Sequence, residues 1–391
     1  MQIPGGQADQ DAKARTAVCR RALLMLAGGA LLGTLLGADG GCHFPGEQSI
    51  TIGSKALWIA NGTDVLEYLP EQLRSGTSAT APHLSLQSAM LGSPQGVTFD
   101  VHGNLWVVDP SAIVDATVTP ALLEFTAAQL SALGSQPQPT PVATITSTAM
   151  SRPQQALFDS QGNLWITDHD SNSLVVFSAG QLALAGAHQM TPAVVVASVS
   201  FNGPAGITLD GSGNLWVANE GGAPDAANAA SAAANTIVEF EAGKLPAVPG
   251  SGVVNAQLTP SIVLSDDGAD SIQSPWGLAF DADGNLWSSN SAAPSIVEFA
   301  QHSLTGTGAP KPFAIISPTT ISGAATLDAP HGVCFDDAHN LAVMNSAGDS
   351  SVAMFGESQL KTGAVAPATF LVGAATTLSS PIGCTFAAAV N

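Results

Sequence analysis

The chain has 391 residues, of which only 10% are charged, and its 30 acidic against 10 basic side chains give a net charge of −20. Such a field repels phosphate backbones and anionic lipid, so nucleic-acid binding is excluded and any hold on a membrane must come through an anchor. The 40 glycines and 25 prolines, with abundant Ala, Ser and Thr, suit many short strands joined by turns.

Residues 1–42 read as an export signal. Arg20-Arg21 precede an apolar run from Ala22 to Gly37, which is short for a membrane span and lies where the hydrophobic part of a signal peptide belongs. Cys42 follows Gly40-Gly41 in the manner of a bacterial lipoprotein cleavage box, although Asp39 stands where such boxes favour Leu, and it is the candidate lipidation site. The expected location is periplasmic, cell-surface or extracellular. Residues 43–49 form a short linker to a domain over 50–391. Four of the basic and three of the acidic residues lie in the first 42, so the remainder carries a net −21.

Within that domain one phrase recurs. Phe99-Asp100 leads to Gly103-Asn104-Leu105-Trp106, Phe158-Asp159 to Gly162-Asn163-Leu164-Trp165, Leu209-Asp210 to Gly213-Asn214-Leu215-Trp216, and Phe280-Asp281 to Gly284-Asn285-Leu286-Trp287. A worn copy runs from Phe335-Asp336 to His339-Asn340-Leu341. Repetition at this spacing means supersecondary units that bury their apolar faces only against one another. In each unit a Pro-x-Gly starts the first strand, and Asp-x-x-Gly-Asn turns the chain, with Asp capping the turn and Gly supplying positive φ. A second strand ends in Asn or Asp (Asn61, Asp109, Asp168, Asn219, Asn290, Asn345), a Ser-Ile-Val-Glu-Phe-like third follows, and a short β-branched fourth completes the unit.

Complete units start near residues 94, 153, 204, 275 and 330. Two fragments remain: residues 50–90, which lack a first strand, and 381–386, which are only a first strand. Joined, they make a sixth unit and leave no open edge. The prediction is an all-β, six-bladed β-propeller of four-stranded antiparallel blades, closed by a C-terminal inner strand and expected to be monomeric. Cys334 and Cys384 fall in the same strand of neighbouring units, one residue apart in register, so their side chains leave opposite faces of their sheets. If those faces look at each other, a disulfide staples the last blade to the closing one; otherwise they are two buried thiols.

The repeated phrase resembles NHL-repeat propellers and the related streptogramin-lyase-like and gluconolactonase-like six-bladed families over roughly residues 50–391. The resemblance implies a ligand site at the mouth of the central channel, on the face carrying the blade starts and second-to-third loops. The long loops Pro110–Pro120 and Glu220–Asn235 share that face. The variable residues of Pro-x-Gly should point toward the axis. Trp276 beside Gln95, Gln154 and His331 makes a candidate ligand platform with a stacking surface and hydrogen bonds; the alternative is that such side chains, with Ala205 and Ile382, simply fill the channel. Streptogramin-lyase-like enzymes use a His and a magnesium-binding acid, for which His331 with Glu220 or Asp170 is the candidate pair, His331 acting as general base. Asp109, Asp168, Asp170 and Glu220, near His169, are the candidate oxygen ligands for calcium or magnesium, unless the Asp/Asn ring only caps loops. His331 is the sole His at a blade start, so a three-His zinc site is not expected, and no blade start carries the Pro-Asp-Gly of gluconolactonase-like enzymes. The leading expectation is therefore an exported, non-catalytic protein that binds a small molecule, glycan or protein at the channel mouth. The alternative is a metal-dependent lyase or lactonase.

Overall fold

A computed structural model describes residues 51–389 except 52, 75, 115–116, 134–137 and 223–234. The expected export signal, Cys42 and the linker lie outside the described residues, as does most of the second long loop. No helix among the described residues is long and apolar enough to cross a membrane.

Six sheets form a ring, each with its inner strand on the axis. The inner strands are Gly96–Phe99, Pro153–Phe158, Pro204–Leu209, Pro275–Phe280, Pro330–Phe335 and, for the first blade, the C-terminal Pro381–Ala387. This last strand pairs antiparallel with Ala56–Asn61, placing Leu57 opposite Phe386 and Ile59 opposite Cys384. Ring closure therefore joins the two ends of the domain, and neighbouring inner strands bring the two cysteines together. Cys334 and Cys384 are disulfide-bonded across a Cα separation of 6.2 Å, so the two faces do look at each other.

The blades are not confined to four strands. The link between the third and fourth strands of one blade runs as a short parallel strand on the outer edge of the blade before it. Gly186–Gln189 covers Ala143–Thr146, Val254–Gln257 covers Val194–Ala197, Gly363–Ala364 covers Ala314–Ser317, and Gly76–Ser78 covers Thr369–Leu371. In the fourth blade the cover shrinks to one bridge, Gly308 on Leu264. Edge strands that would otherwise offer bare N–H and C=O groups are thereby paired.

The repeated phrase is a bonded unit. In the second blade, one carboxylate oxygen of Asp100 accepts from the backbone N–H groups of His102 and Asn104, while the other accepts from the Asn104 side chain. Asn104 then caps the start of the short helix Ala127–Ser131 by accepting from Ala127 N–H at 3.2 Å. The turn glycines sit at φ near +80°, and His339 takes φ 63° in the worn copy. Where geometry allows, the Trp six residues on donates Nε1–H to the same Asp, at 2.9 Å for Trp165, 3.2 Å for Trp216 and 2.9 Å for Trp287. Asp and Trp persist together because each completes the other. Trp58, Trp106, Trp216 and Trp287 also meet an aromatic ring of the next blade edge-on, as Trp216 does Phe280 at 5.8 Å, whereas Trp165 faces a blade with Leu209 at that place.

A carboxyl lies opposite most of the repeat tryptophans on the third strand, buried at Glu67, Glu239 and Glu298 and half-buried at Glu124. Burial, and then Asp281 and Asp283, pushes the Glu298 carboxyl up to about 7 from 4.5. A folded-state pKa above the unfolded one means that the folded form holds the extra proton between pH 4.5 and 7. The corresponding stability is complete below 4.5 and is lost as pH rises through 7. Stability should therefore fall by about 2 kcal/mol from this group between pH 5 and pH 8, and Glu298→Gln should remove that part of the profile, read from urea midpoints at the two pH values.

Candidate functional site

The end of the second strand and the start of the next inner strand build the expected site face. Each Asn of the Asp/Asn ring accepts from the N–H two residues before the blade-start proline. Asn61 does so from Ser379, Asn219 from Asn202, Asn290 from Gln273 and Asn345 from Asp328. Its amide donates to the carbonyl four residues before that proline, of Thr377, Ser200, Ser271 and Thr326 respectively. Asp appears instead where the segment offers further N–H groups. Asp109 accepts from Gly92, Ser93 and Ser111, and Asp168 from Ser151, Arg152 and Ser171. Burial pushes the Asp109 carboxyl up despite these bonds.

A β-bulge follows the blade-start proline, with the register shifting between Pro204 and Ile207 and at the same place in four other blades, the third included, and Pro-x-Gly is the usual sequence there. Its glycine lies against the variable residue's carbonyl in the next blade. A Cβ on Gly206 would stand 1.9 Å from the Trp276 oxygen, one on Gly277 2.4 Å from that of His331, and one on Gly332 2.3 Å from that of Ile382. The third blade, which lacks this glycine, closes differently: Thr167 donates to the Ala205 carbonyl at 2.5 Å, and Gln155 donates to the Gln95 carbonyl at 3.1 Å.

Four of the six variable residues, Gln154, Ala205, Trp276 and Ile382, are buried. Ala205, Trp276 and Ile382 pack into one buried cluster, and Trp276 is 2% exposed, so it presents no open stacking surface. His331 meets Trp276 edge-on with ring centroids 5.2 Å apart. Its Nδ1 donates to the Ala329 carbonyl at 2.8 Å and lies 2.9 Å from Ser346 Oγ, which leaves Nε2 as the acceptor. Burial pushes its pKa down, against the Ala329 bond and the Glu220 charge. Gln95 folds back onto Ser93. Gln154 is buried, with no partner for its Oε1.

Asp170 and Glu220 flank His169 from its two ring nitrogens, and Asp170 also holds Arg152, a cation that sequence reading did not single out. Arg152 Nε donates to Asp170 Oδ1 at 2.9 Å, and the same guanidinium contacts His169 Nδ1. His169 lies 2.7 Å from Asp170 Oδ1 and 3.7 Å from Glu220 Oε2, with Nε2 3.0 Å from the Gly221 carbonyl. The four candidate acids do not converge as a calcium or magnesium cage: two are occupied by backbone N–H groups, and a third holds Arg152. Among the described residues no group of three or more His, Cys, Asp or Glu is placed to hold a metal. Arg152 could have been noticed as one of few cations, sitting beside the one blade start without glycine.

Three concave grooves lie on the opposite face, between successive Asp-x-x-Gly-Asn turns. The groove between blades three and four, of about 810 Å³, is walled by Leu157, Trp165, Leu209, Leu245 and Val248. Its neighbours, of about 490 and 380 Å³, lie between blades two and three and between blades four and five.

No protein-family model matches the chain, and no curated protein does. Among solved structures, a protein of unknown function from Bacteroides caccae is similar over 85% of this chain and 98% of its own, at 9% identity and a TM-score of 0.53. A chain of a nidogen/laminin complex is similar over 85% of this chain and 98% of its own, at 14% identity and a TM-score of 0.50. A streptogramin B lyase structure aligns with 68% of this chain at 15% identity and a TM-score of 0.38, and this chain spans 66% of its length. At such identities the likeness is one of architecture alone, that of a ring of β-sheet blades.

Proposed function

We propose that this chain is an exported propeller that binds a protein or glycan surface through the face carrying its blade starts, and does not act on it chemically. The observation that carries this reading is the buried cluster among the blade starts, where Trp276, Ala205 and Ile382 pack together and leave no open apolar surface. What that face offers a partner is polar and exposed at its tips: Arg152, Asp170 and Glu220 have side chains 42%, 31% and 26% accessible. Loops of this kind on a rigid ring suit surface recognition. A propeller in a nidogen/laminin complex gives a precedent for the fold in a protein assembly.

A glycan array and a panel of extracellular proteins presented to the purified chain test the reading. Binding should occur without product formation and weaken at least tenfold in Arg152→Ala/Glu220→Ala. Conversion of a ligand that is lost with EDTA and restored by magnesium would instead establish the lyase or lactonase reading, which Glu220 favours by acting electrostatically on His331. Export and lipidation at Cys42 belong to the same proposal, and mass spectrometry of the secreted chain's first residue reads them directly.

A further inference from the structure

The groove between blades four and five holds an unbalanced charge. Asp210, Glu239, Asp281 and Asp283 line it, together with Trp216 and Phe280. The turn carboxylates of Asp210 and Asp281 are committed to backbone and Asn donors. Glu239 differs. Its side chain is 4% exposed and its Oε2 has no hydrogen-bond partner. Lys244 acts on this carboxyl only through its charge, its Nζ lying 3.1 Å from Glu241 Oε1 and 3.4 Å from Ser261 Oγ, and Ser261 bonds the Glu239 side chain without satisfying Oε2. A buried carboxylate oxygen without a donor is costly unless something supplies one.

We infer that this groove is a binding site for an ammonium group on an aliphatic chain, with Glu239 Oε2 receiving the charged head. Ile262, Leu304, Trp216 and Phe280 supply an apolar wall for the methylene stem, and Asp283 offers a second anionic contact. A divalent metal fits less well, because the acids do not converge as a coordinating group, and the opening of about 380 Å³ is far larger than an ion. The site is separate from the blade-start face, so it stands or falls without the reading above.

Calorimetric titration of the full chain with 1,5-diaminopentane and, separately, with Nα-acetyl-lysine methylamide tests the inference at pH 8 and low salt. Saturable binding of either, weakened at least tenfold in Glu239→Gln and unchanged in Glu124→Gln of the second blade, supports it. Preference for the diamine identifies a free polyamine as the ligand, and preference for the lysine derivative a side chain of a partner. Equal binding of 1-pentanol would overturn it, because the charge would then be irrelevant. So would full affinity in Glu239→Gln, or no saturable binding in the millimolar range while the variant keeps its native unfolding midpoint.

Discussion

A chain ending at residue 380 should fail to reach the folded monomeric state. The missing strand pairs with Ala56–Asn61, whose residues are all fully buried. Ile382 would also leave the channel cluster, and Cys384 would no longer hold Cys334. Each large apolar side chain withdrawn from the core costs about 1.5–3 kcal/mol. The disulfide spans 50 residues, for which loop-closure entropy is worth about 4 kcal/mol. The total loss is comparable with the whole stability of a folded domain, roughly 5–15 kcal/mol. The measurement is urea unfolding followed by tryptophan fluorescence, with the elution volume as a check on association. The truncated chain should show no cooperative transition, and a peptide of residues 378–391 added in trans should restore one. Cys384→Ser alone should lower stability by about 4 kcal/mol, matching the effect of a reductant on the intact chain. An unchanged midpoint in the truncated chain would mean that the outer parallel strands, not the inner one, hold the ring shut.

Gly206→Ala should be among the most damaging single-methyl additions available. The new Cβ would stand 1.9 Å from the Trp276 carbonyl oxygen and 3.0 Å from its carbon, and neither atom is the yielding end of a side chain. Relief requires two inner strands to separate at the axis, where Trp276 and Ala205 are packed together. Overpacking of this kind costs about 3 kcal/mol. Gly211→Ala, which meets nothing within 4 Å, should stay within about 0.5 kcal/mol of the parent. Urea midpoints of the two variants make the comparison, and similar values would show that the inner strands are not in close contact.

The blade count and the closing strand were legible because every blade carries the same turn and the same Pro-x-Gly. The Asp, Gly and Trp positions follow from bonds within one blade. The cysteine pair was legible only halfway. Alternation along a strand placed the two side chains on opposite faces, but which faces meet depends on how blades stack around the axis. The fifth strands left no pattern to read. Gly186–Gln189 and Val254–Gln257 are exposed or half-exposed along their length, and they pair through backbone with a blade other than their own. At the candidate site, three of the variable residues, Ala205, Trp276 and Ile382, pack into one cluster. That they do so depends on side-chain volumes summed across blades. Arg152 and Glu239 were passed over for a similar reason: the first sits in a connecting segment, and the second inside a strand motif that reads as scaffold.

The parallel covers have a consequence for how the molecule comes apart. In an open stack of repeats the terminal units fray, because each has one neighbour. Here every unit has two, and the segment that covers a blade's rim belongs to the unit after it. Loosening the third, fourth, sixth or first unit therefore strips its predecessor and unseats its successor in the same event. Such a ring loses its parts together or not at all, leaving a protease the intact body or the unfolded chain and few stable fragments between them.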